Sequence, residues 1–207
     1  SKNVKKFIHV SAIGANKNSK SIYQQSKASG EERCLRNFSS SVIIRPSVVV
    51  ADEDNFTNLW GKLSVFPVLP VVGSKFRFQP IWVNCLAQAI VNTIDKTGNE
   101  SKIYEIGGKK IISFGDLVKS ILTVIGKKKI VMNIPIPLGK ILGSMLQLLP
   151  GKPLLTKDQC LILGEKHNIV SNNHLTIQDL GIIPIDVESK MSSWLVKYRE
   201  AGQFTKI

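Results

Sequence analysis

Cysteine is scarce in this sequence: Cys34, Cys85 and Cys160 are the only three, far apart and without C-x-x-C spacing. A scattered, odd-numbered set builds neither a disulfide framework nor a thiolate zinc site, and it fits a reducing compartment. Histidine is as rare, and His9, His167 and His174 form no ligand spacing with the cysteines, so no metal is expected. His9 alternates with apolar neighbours and reads as a packed strand residue. No run of apolar residues approaches the ~20 that span a bilayer. The opening SKNVKKFIHVSA resembles neither a signal nor a transit peptide, because its apolar stretch is short and runs straight into a strand-like pattern.

Acidic residues are also in deficit. The 15 Asp and Glu against 28 Lys and Arg leave a net charge of +13, a balance suited to nucleic acid, an anionic membrane face, an acidic partner or a phosphorylated ligand. Only five of the basic residues are arginines. The short runs Lys5-Lys6, Lys109-Lys110 and Lys127-Lys128-Lys129 carry no interleaved aromatics on which bases could stack. No helix-turn-helix, RNP-type or zinc pattern accompanies them, so nucleic acid is not an expected partner. The lysine surplus reads either as a solvated surface or as an anionic docking face.

What is present is a folding composition, with 43% hydrophobic and 21% charged residues. Residues 6–11, KFIHVS, read as a buried strand, and residues 21–37 as a helix ending in a charged tail. Residues 41–50 read as a second buried strand that must end or kink at Arg45-Pro46, since proline denies the ladder a donor. Further helices are expected over residues 52–66, 84–96, 114–126, 138–149, 157–164 and 187–199. Strands are expected over residues 76–83, 102–106 and 129–134, and the PVLPVVG stretch, residues 67–73, reads as a loop. Ser113 is a plausible N-cap and Gly126 a helix stop. Alternating apolar strands and helices predict an α/β fold with a largely parallel sheet.

The sharpest local signal is Tyr23-Gln-Gln-Ser-Lys27. Residues four apart share one helix face, so a phenol and an ammonium there can address one ligand. A nearby cation favours phenolate and makes tyrosine a usable acid or base near neutral pH. Ser11, at the C-terminal end of a strand, is placed to hold a substrate oxygen beside it, because open parallel sheets bind ligands at that edge. The bland alternative is an exposed helical pair without a catalytic role.

The order of the segments VSAIGA, SIYQQSKASGEE and VIIRPSVVV resembles the extended and atypical short-chain dehydrogenase/reductases of the epimerase/dehydratase branch. RFQPIWVN, YEIGG followed by SFGDLV, and the PGKPLLTKDQ segment extend that resemblance over nearly the whole chain, nearest to the nucleotide-binding accessory subunits of respiratory complex I and their bacterial relatives. The resemblance implies a partial Rossmann-like, doubly wound and mostly parallel sheet. Residues 1–134 would be the C-terminal half of a dinucleotide-binding domain with interleaved substrate-side elements, and residues 135–207 an α-rich C-terminal appendage. It implies NAD or NADP as cofactor, with Tyr23 as acid/base and Lys27 on the nicotinamide ribose, lowering the tyrosine pKa. Ser11 would orient the reacting oxygen, and Pro46, Ser47 and Val48 would line the nicotinamide side. An oxidoreductase or epimerase acting on a sugar nucleotide or a hydrophobic carbonyl compound is the alternative to a structural subunit.

Three departures accompany the resemblance. No G-x-x-G-x-x-G opens the chain to cradle a pyrophosphate. Ala51 stands where the family usually has Gly, and Asn84 where it usually has Asp. The first βα units of the family, about 100 residues at ~30 each, are not found. The expectation is therefore a chain that binds NAD(P) weakly or not at all alone and that pairs with a complementing N-terminal half. Expected partners are respiratory complex I or a membrane-associated assembly, in a cytoplasmic or mitochondrial-matrix-like compartment, peripheral at the membrane.

Overall fold

The computed structural model describes residues 4–151, 153–200 and 202. Lys152, inside the PGKPLLTKDQ segment, and residues 1–3, 201 and 203–207 lie outside the described residues.

Strand β1 (Ile8–Val10) leads into helix α1 (Ile22–Asn37). The Ser21 hydroxyl caps this helix by accepting the Gln24 amide at 3.3 Å. Strand β2 (Val42–Pro46) ends on the proline as expected, and the chain resumes as the short β3 (Val49–Val50) in a different sheet. Helix α2 (Asn55–Leu63) follows, capped by Asp54. Next comes strand β4 (Val68–Val72), inside the stretch expected as a loop. The two prolines argue against a central strand, but β4 has one neighbour only, and Pro70 points to solvent on a strand whose Leu69 and Val71 are buried. An edge strand tolerates a missing N–H.

The expected strand over residues 76–83 is two short ones, β5 (Arg77–Phe78) and β6 (Ile81–Trp82), which pair in different sheets. Helix α3 (Val83–Asp95), strand β7 (Ile103–Ile106), strand β8 (Ile112–Ser113) and helix α4 (Phe114–Val124) come next. Ser113 does cap α4, accepting the Asp116 amide at 3.1 Å, and Gly126 stops it at φ 72°. Beyond lie β9 (Ile130–Ile134), α5 (Ile136–Leu146), α6 (Lys157–Ile162), β10 (Leu175–Thr176) and α7 (Glu188–Leu195).

The main sheet runs β1-β2-β7-β10 and is parallel throughout. Parallel pairs β3–β6 and β4–β9 and the antiparallel pair β5–β8 flank it. The mixed α/β architecture with a parallel sheet agrees with the fold class expected from the sequence. The segment beyond residue 134 is helix-rich, and it also threads back into the sheet, since β10 pairs with β7 and α7 packs on α4 and α2.

Two apolar clusters hold these layers. Val42, Ile44, Ala89, Tyr104 and Ile177 join the main sheet to α3. Trp60, Leu69, Leu117, Ile121, Met191 and Leu195 join α2, β4, α4 and α7. Trp82 touches both and stacks on Trp194 with ring centroids 5.3 Å apart, which couples the C-terminal helix to the centre of the fold.

Candidate functional site

Strand alternation sets the first part of the site. His9 in β1 and Ser11, the residue that follows the strand, are two apart, the spacing that places extended residues on one face. The close approach of α1 to that face is allowed by Gly30, where a Cβ would stand 3.2 Å from His9 Nε2. A β–α–β crossover runs antiparallel to its strands, so Ser11, at the C-terminal end of β1, lies toward the first turns of α1, which carry Tyr23 and Lys27. The Ser11 amide donates to the Ile44 carbonyl at 2.7 Å, while its buried hydroxyl finds no hydrogen-bond partner among the described residues. A buried, unpaired hydroxyl is costly and marks a place where a ligand atom would be accepted.

Tyr23 and Lys27 do meet, as the spacing predicts. The Lys27 ammonium lies over the Tyr23 ring, 5.7 Å from its centroid. Burial pushes the half-exposed Tyr23 phenol above its ordinary value. The implied lowering by Lys27 is therefore not what this geometry produces: the ammonium sits over the ring, and desolvation governs the phenol. At neutral pH Tyr23 therefore carries its proton. Lys27 also acts on His9, whose pKa is lowered first by burial and next by that ammonium.

Pro46, Ser47 and Val48 stand at the end of β2, with their polar groups engaged inside the protein. The Pro46 carbonyl accepts the Ile13 amide at 3.0 Å. The Ser47 hydroxyl donates to Asn168 Oδ1 at 2.6 Å and accepts the Gln79 amide at 3.2 Å. The Val48 amide donates to the same Asn168 oxygen at 3.1 Å, and the Asn168 amide group donates to the Ile13 carbonyl at 3.2 Å. Asn168 thus ties the loop after α6 to both strand ends.

A cleft of about 680 Å³ opens beside these groups, lined among others by Ile13, Gly14, Gln24, Arg45, Glu105 and His167. Ser11, Tyr23, Lys27, Pro46, Ser47 and Val48 are not part of its wall. Its floor holds a buried ion network. Arg45 makes a bidentate pair with Glu31, Nε to Oε1 at 2.8 Å and Nη2 to Oε2 at 2.6 Å, and lies 3.7 Å from Glu105. Glu105 accepts the Ser171 amide and hydroxyl at 2.8 and 2.9 Å, and Arg45 Nη1 is 3.2 Å from His174 Nε2. The Glu31 hydrogen bonds hold the Arg45 guanidinium above its ordinary pKa.

The start of α1 is closed by two carboxylates from the α6 region. Asp158 accepts the Ser21 hydroxyl and the Ile22 amide, both at 2.8 Å, and Glu165 accepts the Ser19 hydroxyl at 2.8 Å and the Lys20 amide at 2.9 Å. Negative groups at a helix N-terminus meet its positive dipole end. Asn168, Asp158 and Glu165 were not legible as site residues, because each acts on a partner more than 100 residues away.

These residues fit a nicotinamide dinucleotide at one end only. The unpaired Ser11 hydroxyl, the protonated Tyr23 and the Lys27 ammonium suit a polar ring and its ribose, whereas no glycine-rich turn among them supplies the amides a pyrophosphate needs.

No family model matches the chain. It is similar to the mitochondrial NADH dehydrogenase (ubiquinone) 1 alpha subcomplex subunit 9 of Dictyostelium discoideum, 28% identical across 100% of this chain and 59% of that protein. It is also similar to the subunits of the same name from Arabidopsis thaliana, at 28% over 96% of the chain and 52% of that protein, and Mus musculus, at 29% over 95% and 52%. The chain spans about half the length of these curated relatives. Its fold is that of an NADPH-dependent quinone oxidoreductase from Escherichia coli, with a TM-score of 0.73 at 15% identity over 92% of this chain and 67% of that one. A nucleoside-diphosphate-sugar epimerase from Staphylococcus aureus superposes with a TM-score of 0.70 at 14% identity, over 91% and 65%. Along its whole length the chain is thus similar, at 28–29% identity, to proteins named alpha subcomplex subunit 9 of NADH dehydrogenase, and its fold is of the Rossmann type.

Proposed function

We propose that the chain is the nicotinamide-side part of an accessory subunit of respiratory complex I, holding NAD or NADP as a structural group. Similarity over 95–100% of the chain to subunits of that name in an amoeba, a plant and a mammal carries this reading. Their names place those relatives in the mitochondrion, which supports a matrix-side location here. No helix among the described residues is long and apolar enough to cross a membrane. The net charge of +13 suits docking against anionic lipid or an acidic neighbouring subunit.

Within the site, Ser11 would accept or donate a hydrogen bond at the nicotinamide or at a reacting oxygen, and Lys27 would hold the ribose hydroxyls with its rotatable N–H groups. A bound nicotinamide supplies hydride transfer. Tyr23, protonated at neutral pH, can deliver a proton to a developing alkoxide. That capacity supports a second reading, an NAD(P)-dependent oxidoreductase or epimerase acting on a sugar nucleotide or a hydrophobic carbonyl compound. The unpaired Ser11 hydroxyl favours it, since a purely structural subunit gains nothing from that cost.

The test has two arms. A tagged chain expressed in its own cells should co-migrate with NADH dehydrogenase activity on native gels; migration apart from that activity would remove the subunit reading. Calorimetry with NAD(H) and NADP(H) should show weak or no binding by the chain alone. Tight stoichiometric binding, abolished by Lys27→Met, would replace the assisted-binding reading with that of a self-sufficient site. Turnover lost in Tyr23→Phe would then favour the enzyme.

A further inference from the structure

An apolar cavity lies away from the nicotinamide side. It measures about 710 Å³, within the size range of small-molecule pockets, and is enclosed by α2, the β4–β9 ribbon, α5 and the segment leading into α6. Every lining residue is aliphatic, aromatic or proline, including Leu63, Leu69, Phe114, Leu142 and Leu146.

Its roof is held open by glycines. Helix α5 buries only Gly139 and Gly143. A Cβ on Gly139 would run into Val72, and one on Gly143 would stand 2.7 and 2.8 Å from the Thr156 carbonyl carbon and the Lys157 amide nitrogen. The helix is therefore seated on its small-residue face against β4 and the start of α6. Leu142, Met145, Leu146 and Leu149 reach the cavity from a backbone that is already in contact and cannot settle further inward.

The opening has two properties at once. Phe66, Met145, Leu149 and Leu154 line the cavity and are 56%, 62%, 61% and 57% exposed, an apolar mouth in contact with water. Pro67, in the wall of the cavity, is also in the wall of a shallow basin that carries Lys119, Lys127, Lys128 and Lys129. Lys127 donates to the Ser64 hydroxyl at 3.1 Å, and among the described residues neither the basin nor the cavity has an acidic residue in its wall. An apolar cavity with a lysine-bearing basin beside it, the two sharing Pro67, is complementary to an amphiphile with one hydrocarbon chain and an anionic head.

We propose that this cavity binds a single long acyl chain, with the carboxylate or phosphate of the same molecule held by Lys127, Lys128 and Lys129. The site is independent of nicotinamide binding, and its test does not depend on that reading. Both a free fatty acid and a lysophospholipid present this chemistry.

Titration of the chain with the fluorescent fatty acid cis-parinaric acid should saturate at one molecule per chain. Displacement should strengthen from octanoate through dodecanoate to hexadecanoate, by up to roughly fourfold per added methylene until the cavity is full. Leu146→Trp, which fills part of the cavity, should weaken hexadecanoate more than octanoate. Replacing Lys127, Lys128 and Lys129 together by Gln removes the three cations; it should weaken hexadecanoate about tenfold or more while leaving hexadecanol unchanged. Lysophosphatidylglycerol displacing the probe more strongly than hexadecanoate would assign the phospholipid source, and the reverse order the free acid. Absence of saturable binding, affinity independent of chain length, or equal loss of acid and alcohol in the lysine variant would each overturn the proposal. So would partition of the probe into vesicles with no one-to-one binding in their absence.

Discussion

The Asn168 side-chain oxygen accepts the Ser47 hydroxyl at 2.6 Å, and the same carboxamide reaches the Val48 amide and the Ile13 carbonyl. One side chain from the loop after α6 therefore fixes the ends of the two strands that frame the candidate site. Buried polar groups in such a network are strong only while every member is satisfied.

Asn168→Ala should accordingly leave a buried hydroxyl, amide and carbonyl short of partners and destabilise the fold by about 1–3 kcal/mol. Urea denaturation reads the loss. A change indistinguishable from zero would mean that water replaces the carboxamide and that the loop is not held there.

The Arg45–Glu31 pair has side chains only 15% and 7% exposed. Removing one partner, as in Glu31→Leu, strands a guanidinium beside Glu105 alone and should cost about 2–4 kcal/mol. Glu31→Leu combined with Arg45→Met should recover part of that loss, because it removes the stranded guanidinium while leaving Glu105 to Ser171 and His174. A double variant no more stable than the single one would show that the pair itself, and not the stranded charge, carries the energy.

His9 is held below its ordinary pKa by burial and by Lys27, with Glu31 opposing. A base with a depressed folded pKa binds its proton more readily when unfolded, so its contribution is complete above about pH 6.5 and is lost as pH falls toward the folded value. Stability of the wild-type chain should thus fall over that window, and His9→Leu should flatten the dependence. In an NMR titration Lys27→Met should move the His9 midpoint upward; a midpoint that stays put would show that Lys27 does not reach it.

Gly143→Ala would ordinarily favour a helix by about 1 kcal/mol. Here the new methyl meets backbone of the Thr156–Lys157 peptide at 2.7–2.8 Å, which cannot swing aside as a side chain would. The variant should be destabilised by about 1–3 kcal/mol, read as a lower thermal midpoint. A stabilised variant would mean that α5 shifts readily on its support.

Several elements were legible from local chemistry. The Ser113 cap, the stop at Gly126 and the break of β2 at Pro46 each depend on residues within a turn of one another, so the string of letters contains their cause. The Tyr23–Lys27 pairing was legible for the same reason, since helical spacing alone sets it. Strand β4 was hidden behind its prolines. Only its place at an edge, with β9 as sole neighbour, makes Pro70 acceptable, and no local pattern announces where an edge will be. The upward shift of the Tyr23 phenol was equally hidden, because burial is a property of what packs around a residue.

By itself the sequence determined the α/β class, the helix termini and the face that carries Tyr23 and Lys27, all through interactions spanning a few residues. The tertiary structure alone decided that Ser11 keeps an unpaired buried hydroxyl, that Asn168, Asp158 and Glu165 close the site from the far end of the chain, and that α5 roofs an apolar cavity. Those outcomes depend on contacts between separate elements, more than 100 residues apart for Asn168, Asp158 and Glu165, and such contacts exist only after the strands have set their order and the helices have packed on them.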